Sequence, residues 1–221
     1  MLLHFKTLQK VYFISGLGAD YRSFRFLDLS LFDAHFIRWI TPSPDDTLGS
    51  YAEKLFASVA DENAIIVGLS LGGMLAVEIA KKHPGTKVIV IASAKTRFEI
   101  PGYLKFWRHF PVYNLHSQKT KKVTGRFVLS ILGAKGPEPK KVQQQIMRDS
   151  DPLFTRWAIH AVLHWDNTVI PKNVIHIHGT ADKVLPHYFV KDHHTIKNGE
   201  HVMIMDKAEE ISALLKKLVI N

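Results

Sequence analysis

The sequence predicts an α/β domain built on a mostly parallel, twisted sheet with helices on both faces. Three observations carry that expectation. Short apolar runs of strand length alternate with stretches of helical periodicity along the chain. The pattern Gly68-Leu69-Ser70-Leu71-Gly72 sits where the apolar run Ala64 to Val67 should turn into a helix. Near the C-terminus, Ile211, Leu214, Leu215 and Leu218 follow the i, i+3, i+4, i+7 spacing of a helix that packs on a sheet.

The elements follow in order. Val11 to Ile14 reads as a strand that runs into the loop Ser15-Gly16-Leu17-Gly18-Ala19-Asp20. Tyr21 to Leu31 reads as a helix, and Ala34 to Ile40 as a strand closed by Thr41-Pro42-Ser43-Pro44, whose prolines cannot extend a ladder. Leu48 to Ala60 is the next helix. Ile65 to Val67 leads to the serine turn, and the helix behind it stops at His83-Pro84-Gly85, before a strand over Lys87 to Ala92. Val174 to Ile177 reads as a strand that ends in the turn Gly179-Thr180-Ala181-Asp182. Between those last two strands lies too much chain for a plain crossover, which makes residues 95–165 an insertion.

Length and composition agree. A chain of 221 residues, 46% hydrophobic, can bury one sizeable core and still carry such an insertion. Cysteine is absent, which excludes disulfides, thiolate catalysis and Cys-ligated zinc. The N-terminal residues lack the basic start and apolar stretch of a secretion signal, and no run reaches the ~20 apolar residues of a membrane span. A cytoplasmic location is the expectation. Oligomeric state leaves no mark in the sequence.

Serine at the centre of a sharp strand-to-helix turn is held in a strained conformation with its hydroxyl at the sheet edge. Glycine at positions 68 and 72 removes the side chains that would collide with the crossing backbone. Two later turns supply partners: Asp182, and His201 in Asn198-Gly199-Glu200-His201 just before the last helix. Singly, an Asp in a turn and one of thirteen histidines are unremarkable. Together with the serine turn they point to nucleophilic serine chemistry.

With these residues the chain resembles small α/β-hydrolase-fold serine hydrolases, whose nucleophile, acid and histidine follow in this order. The resemblance runs from about Val11 to the C-terminus and is weakest over 95–165. It implies Ser70 as nucleophile, His201 as general base and then acid, and Asp182 as the carboxylate that orients the imidazole. It also implies an oxyanion hole from the backbone N–H groups of Leu71 and Leu17. The implied activity is hydrolysis of a small-molecule carboxylic ester or thioester through an acyl-enzyme, with no cofactor. A lyase or carbon–carbon hydrolase on the same residues, or a non-catalytic ligand-binding member, are the alternatives. The chain departs from the family in two places: Ser15 stands where many relatives have histidine, and only Met1 to Lys10 precede the first strand, which implies a sheet trimmed at that edge.

The resemblance further implies a core of residues 1–94 and 166–221 under a helical cap, 95–165. Tyr103, Phe106, Trp107 and Phe110 share one face at helical spacing and are the candidate substrate contacts. Asp151-Pro152 would start a returning helix with Phe154, Trp157, Ile159 and Trp165. These aromatics are expected to form the cap's own core, with some roofing the pocket. Between 95 and 148 twelve basic residues face only Glu99 and Glu138, a net +10 against +9 for the whole chain. A solvated face is the plain reading of this charge, and attraction of an anionic substrate or surface the sharper one. Nothing resembles a nucleic-acid reader. His160 and His164, spaced i, i+4 with Asp166 close behind, have residue types that could ligate a metal, but no Glu completes a zincin-type pattern and they are expected to be structural. His193 and His194 are expected to be exposed. No metal is predicted.

Overall fold

The computed structural model describes residues 8–59, 61–106 and 131–220. Its strands are β1 Gln9–Ile14, β2 Phe32–Phe36, β3 Ile65–Leu69, β4 Lys87–Ile91, β5 Val174–Gly179 and β6 His194–Ile196. All pair in parallel, in the order β2-β1-β3-β4-β5-β6. The helices are α1 Leu48–Phe56, α2 Leu71–Lys82, α3 Gly102–Phe106, α4 Pro137–Asp149, α5 Pro152–Leu163, α6 Met203–Asp206 and α7 Ala208–Ile220.

The central strands β3 and β4, and β1 from Val11 on, are apolar on both sides because both faces are covered, whereas the edge strands β2 and β6 are largely exposed. Val11 and Phe13 of β1, Ile65 and Val67 of β3, and Ile89 and Ile91 of β4 pack with Ile211 and Leu215 of α7. The alternate residues Tyr12, Ile14, Ile66, Val88 and Val90 pack on the opposite face with α1, α2 and α5. The chain leaves β1 for β2 on one side and returns through α1 to β3 on the other. The C-terminal ends of β1 and β3 therefore flank the point where strand order reverses, where such sheets open a crevice.

Three elements differ from expectation. Tyr21 to Leu31 is not a helix: it holds a single 3-10 turn, Tyr21–Phe24, capped by the Asp20 carboxylate on Arg22 N. Its buried residues Phe24 and Leu27 stand three apart, and Asp28 accepts from Ser30 N, a local bond that competes with helix. The following strand lies earlier, Phe32–Phe36 rather than Ala34 to Ile40, because the chain beyond it is drawn inward: Trp39 Nε1 donates to Ala19 O at 2.6 Å and Ile40 N to the Tyr51 hydroxyl at 3.1 Å. Helix α1 ends at Phe56, short of Ala60.

Helix α5 starts as the Asp151-Pro152 pair suggests, with the carboxylate accepting from Leu153 N at 2.8 Å. Its aromatics do not form a separate core. Trp157 packs on Tyr51 of α1 with ring centroids 4.4 Å apart, Phe154 on Trp39 at 4.7 Å, and Trp165 Nε1 donates to Glu78 of α2 at 2.8 Å. Among the described residues no helix is long and apolar enough to cross a membrane.

Candidate active site

Ser70 links β3 to α2 with φ 51° and ψ −115°, a region a non-glycine residue occupies only when its surroundings hold it there. The restraints are visible. Ser70 N donates to Ile91 O at 2.9 Å, and Ser70 O accepts from Ser93 Oγ at 2.7 Å and from Gly73 N at 2.9 Å. The turn is possible because the flanking residues lack side chains: a Cβ on Gly72 would run into the carbonyls of Ile14 and Ser15, and one on Gly68 into that of Gly72.

The loop after β1 comes to the same place. A Cβ on Gly16 would stand 3.4 Å from Ser70 Cβ. Ser15 donates its hydroxyl to Ala19 O at 2.9 Å, Ala19 N donates to Gly16 O at 3.0 Å, and Trp39 Nε1 also bonds Ala19 O. Leu17 sits on the outside of this closed loop, about a third exposed. Leu71 opens α2, where a first-turn N–H has no acceptor within the helix and the helix dipole adds partial positive charge.

Asp182 and His201 reach the same crevice from turns beyond β5 and β6. Ala181 N donates to Gly199 O at 2.9 Å, and Asn198 N to Thr180 Oγ1 at 2.8 Å, so the two turns are tied. Asp182 Oδ1 accepts from the backbone N–H of Val184 and Leu185, each at 2.8 Å. Its Oδ2 accepts from His201 Nδ1 at 2.8 Å, and a carboxylate that only accepts places the ring proton on Nδ1. The bare Nε2 then takes the Ser70 hydroxyl at 2.9 Å. Asp182 and His201 are both buried. Burial pushes the Asp182 carboxyl up, but the charge and hydrogen bond of His201 and the Leu185 N–H outweigh it and hold the group below its usual range. Such an arrangement can move a hydroxyl proton to an imidazole while the carboxylate balances the charge that appears.

Behind the acid lies a polar cluster that sequence reasoning missed. Lys95, buried, pairs with Glu99 at 2.8 Å and also bonds His176 Nδ1 at 2.9 Å and Lys191 O at 2.6 Å. His176 Nε2 lies 3.3 Å from His178 Nδ1, and His178 Nε2 bonds Leu185 O at 2.8 Å. The signal was present: His176 and His178 alternate on a strand whose same-face neighbour on β4, Val90, is apolar. Lys95, counted with the solvated basic insertion, is a correction. So is His193, which is half-buried with its ring 5.6 Å from His178, whereas His194 is exposed.

The other candidates fall as follows. Tyr103 lies on α3, exposed; burial raises its hydroxyl pKa, with Tyr188 and Asp182 adding to the rise. Phe106 is the last residue of α3, and Trp107 and Phe110 lie outside the described residues, as do Lys119, Lys121 and Lys122. His160 and His164 stack at 4.1 Å on the surface of α5, and among the described residues no three His, Asp or Glu side chains gather as a metal site. A cavity of about 290 Å³ lies beside the loop after β1, lined by Gly18, Ala19, Trp39, Asp149, Ser150 and Phe154.

Comparison with known proteins agrees with this architecture. An esterase from Exiguobacterium antarcticum superposes with TM-score 0.73 at 17% identity, over 96% of this chain and 92% of that one. A thermophilic esterase from Thermogutta terrifontis gives 0.72 at 14%, over 96% and 90%. A meta-cleavage product hydrolase from Pseudomonas fluorescens gives 0.67 at 16%, over 95% and 90%. At these identities the likeness is one of fold. No functionally curated protein matches. The sequence model of the alpha/beta hydrolase family matches residues 11–214, nearly the whole chain, and with the parallel sheet and its serine turn this establishes that the chain belongs to the alpha/beta hydrolase family.

Proposed function

We propose that the chain is a serine hydrolase that cleaves a small-molecule carboxylic ester or thioester through an acyl-enzyme. Membership of the family supports hydrolase activity. The observation that carries the finer reading is the unbroken hydrogen-bonded path from Ser70 Oγ through His201 to Asp182, at 2.9 and 2.8 Å, at the strand-order reversal. In this mechanism Ser70 Oγ attacks the acyl carbon as its proton passes to His201 Nε2. The oxyanion is held by the N–H groups of Leu71 and Leu17. The tetrahedral intermediate collapses, the acyl carbon to leaving-group bond breaks, and His201 returns the proton to the departing alcohol or thiol. Water, deprotonated by His201, then cleaves the acyl-enzyme and releases the acid with Ser70 restored.

Residues 95–165 act as the cap in this reading. Two of its segments support that role. Ser150 Cβ stands 3.2 Å from where a Cβ on Gly18 would be, beside the oxyanion loop. In the second, Leu132 O accepts from Val202 N at 3.1 Å and Lys135 pairs with Glu200 at 3.1 Å, both next to His201. Tyr103, on α3, lies within reach of the Asp182 charge.

The test is covalent labelling. An activated serine reacts with a fluorophosphonate far faster than an ordinary hydroxyl, so mass spectrometry should find a single adduct on Ser70. His201→Ala or Asp182→Asn should abolish labelling and lower turnover of an aryl ester by roughly three orders of magnitude or more, with the fold intact. An unlabelled Ser70 in folded protein sinks the reading. Because the fold hosts many reactions, turnover of a diketone or cyanohydrin with none of aryl esters would favour carbon–carbon cleavage on the same residues.

A further inference from the structure

The buried cluster behind Asp182 has a direction that follows from its donors. A lysine ammonium has three N–H groups and no lone pair, so it can only donate. His176 Nδ1, 2.9 Å from Lys95 Nζ, must therefore accept, and the single proton of the neutral ring lies on Nε2. That proton points at His178 Nδ1, which accepts in turn and leaves the His178 proton on Nε2. His178 Nε2 donates to Leu185 O at 2.8 Å, and a carbonyl oxygen cannot reverse the order. Every polar atom of both rings is satisfied in one arrangement only.

The end of this chain is the turn that holds the acid. Leu185, whose carbonyl takes the last bond, gives its own N–H to Asp182 Oδ1, as does Val184. The same His178 Nε2 lies 3.7 Å from Asp182 Oδ2, so the carboxylate meets the N–H side of the ring instead of its lone pair. Both rings are buried, and burial lowers their pKa values; the Lys95 charge adds to this at His176, while Asp182 opposes it at His178. The groups facing the pair are Lys95, Asp182, His201 and His193, with Glu99 balancing Lys95. A cationic His178 would form a second ion pair with Asp182 and compete with His201 for its charge.

We propose that Lys95, His176 and His178 form a one-way hydrogen-bond relay in which His178 is a positioning residue: it clamps the Asp182 turn so that Oδ1 is taken by backbone and Oδ2 is left for His201. The inference rests on the acyl-enzyme reading of Ser70. It adds to that reading a reason for a buried lysine and two buried histidines whose contacts lead to the Asp182 turn.

Ring-nitrogen NMR of the full-length, uniformly 15N-labelled protein tests the relay without any substitution. His176 and His178 should both appear at neutral pH as uncharged Nε2–H tautomers. A charged ring, or an Nδ1–H tautomer at either position, overturns the relay. Steady-state hydrolysis of p-nitrophenyl butyrate tests its effect. His178→Phe, which can neither accept nor donate, should lower kcat by ~10- to 100-fold with KM changed little, since a small displacement of a catalytic group acts on turnover more than on binding. His178→Gln keeps one acceptor and one donor and should recover most of that loss. An unchanged kcat in folded His178→Phe, or no recovery with glutamine, returns the cluster to a purely structural role. Ser70→Ala, assayed beside them, separates the two claims. Turnover that survives in Ser70→Ala overturns the acyl-enzyme reading, whereas turnover lost there but intact in His178→Phe overturns the relay alone.

Discussion

The two halves of the site are held by different physics. Ser70 is fixed by backbone: a strained turn, four main-chain or near-chain hydrogen bonds, and glycines that let two peptide segments touch. Asp182 and His201 sit on two turns that also meet through backbone, at Gly179 and Gly199, but they depend in addition on a buried polar cluster that draws on Lys95 and Glu99 from the start of the insertion. A backbone-built half fails when a side chain is added. A half that also leans on buried side chains fails when one is removed.

The largest effect is expected in the second half. Lys95 is buried, and Glu99 accepts from Lys95 Nζ, from Lys95 N at 2.6 Å and from Lys191 N at 3.2 Å. Lys95→Met leaves that carboxylate buried without its cation, which typically costs ~3–5 kcal/mol, while replacing both partners costs far less. Urea denaturation should therefore show a severe loss for Lys95→Met and a smaller one for Lys95→Met with Glu99→Gln. Equal losses in the two would mean the pair is not the unit of stability.

The first half should break more gently but in a more telling way. Gly72→Ala places a methyl group against the carbonyls of Ile14 and Ser15, and such overpacking costs ~1–3 kcal/mol. The displaced peptide begins the loop after β1, from which the proposed mechanism draws an oxyanion donor. Loss of one oxyanion donor typically lowers kcat by ~100-fold, so the folded fraction of Gly72→Ala should lose turnover on that scale with KM little changed. Full kcat in the variant would detach the loop after β1 from the chemistry.

This contrast also explains what was legible in the sequence. The serine turn is written in five consecutive residues, because backbone collisions are local, and the alternation of strand and helix is written in apolar periodicity. The Asp182 and His201 turns were found through their order and their glycines. The relay was not, because its partners lie 81 residues apart at Lys95 and His176, and a lysine beside a basic stretch reads as solvated until its burial is known. Tyr21 to Leu31 misled for a related reason: its apolar residues suit a helix, but local side-chain bonds and the short link between adjacent parallel strands favour a tight turn.

The smallest effect concerns charge at long range. The segment 95–148 carries a net +10 by sequence, and among the described residues Lys95 pairs with Glu99 and Lys135 with Glu200, the latter beside His201. If the remaining cations act on substrate, they do so through a field that salt shortens to ~8 Å near physiological ionic strength. An anionic ester should then lose kcat/KM by ~3-fold or more as salt is raised, while a neutral ester of similar size stays flat. Lys119→Gln, Lys121→Gln and Lys122→Gln together should flatten the anionic curve and leave the neutral one alone. Parallel salt dependence for the two esters would place the basic residues on a solvated surface.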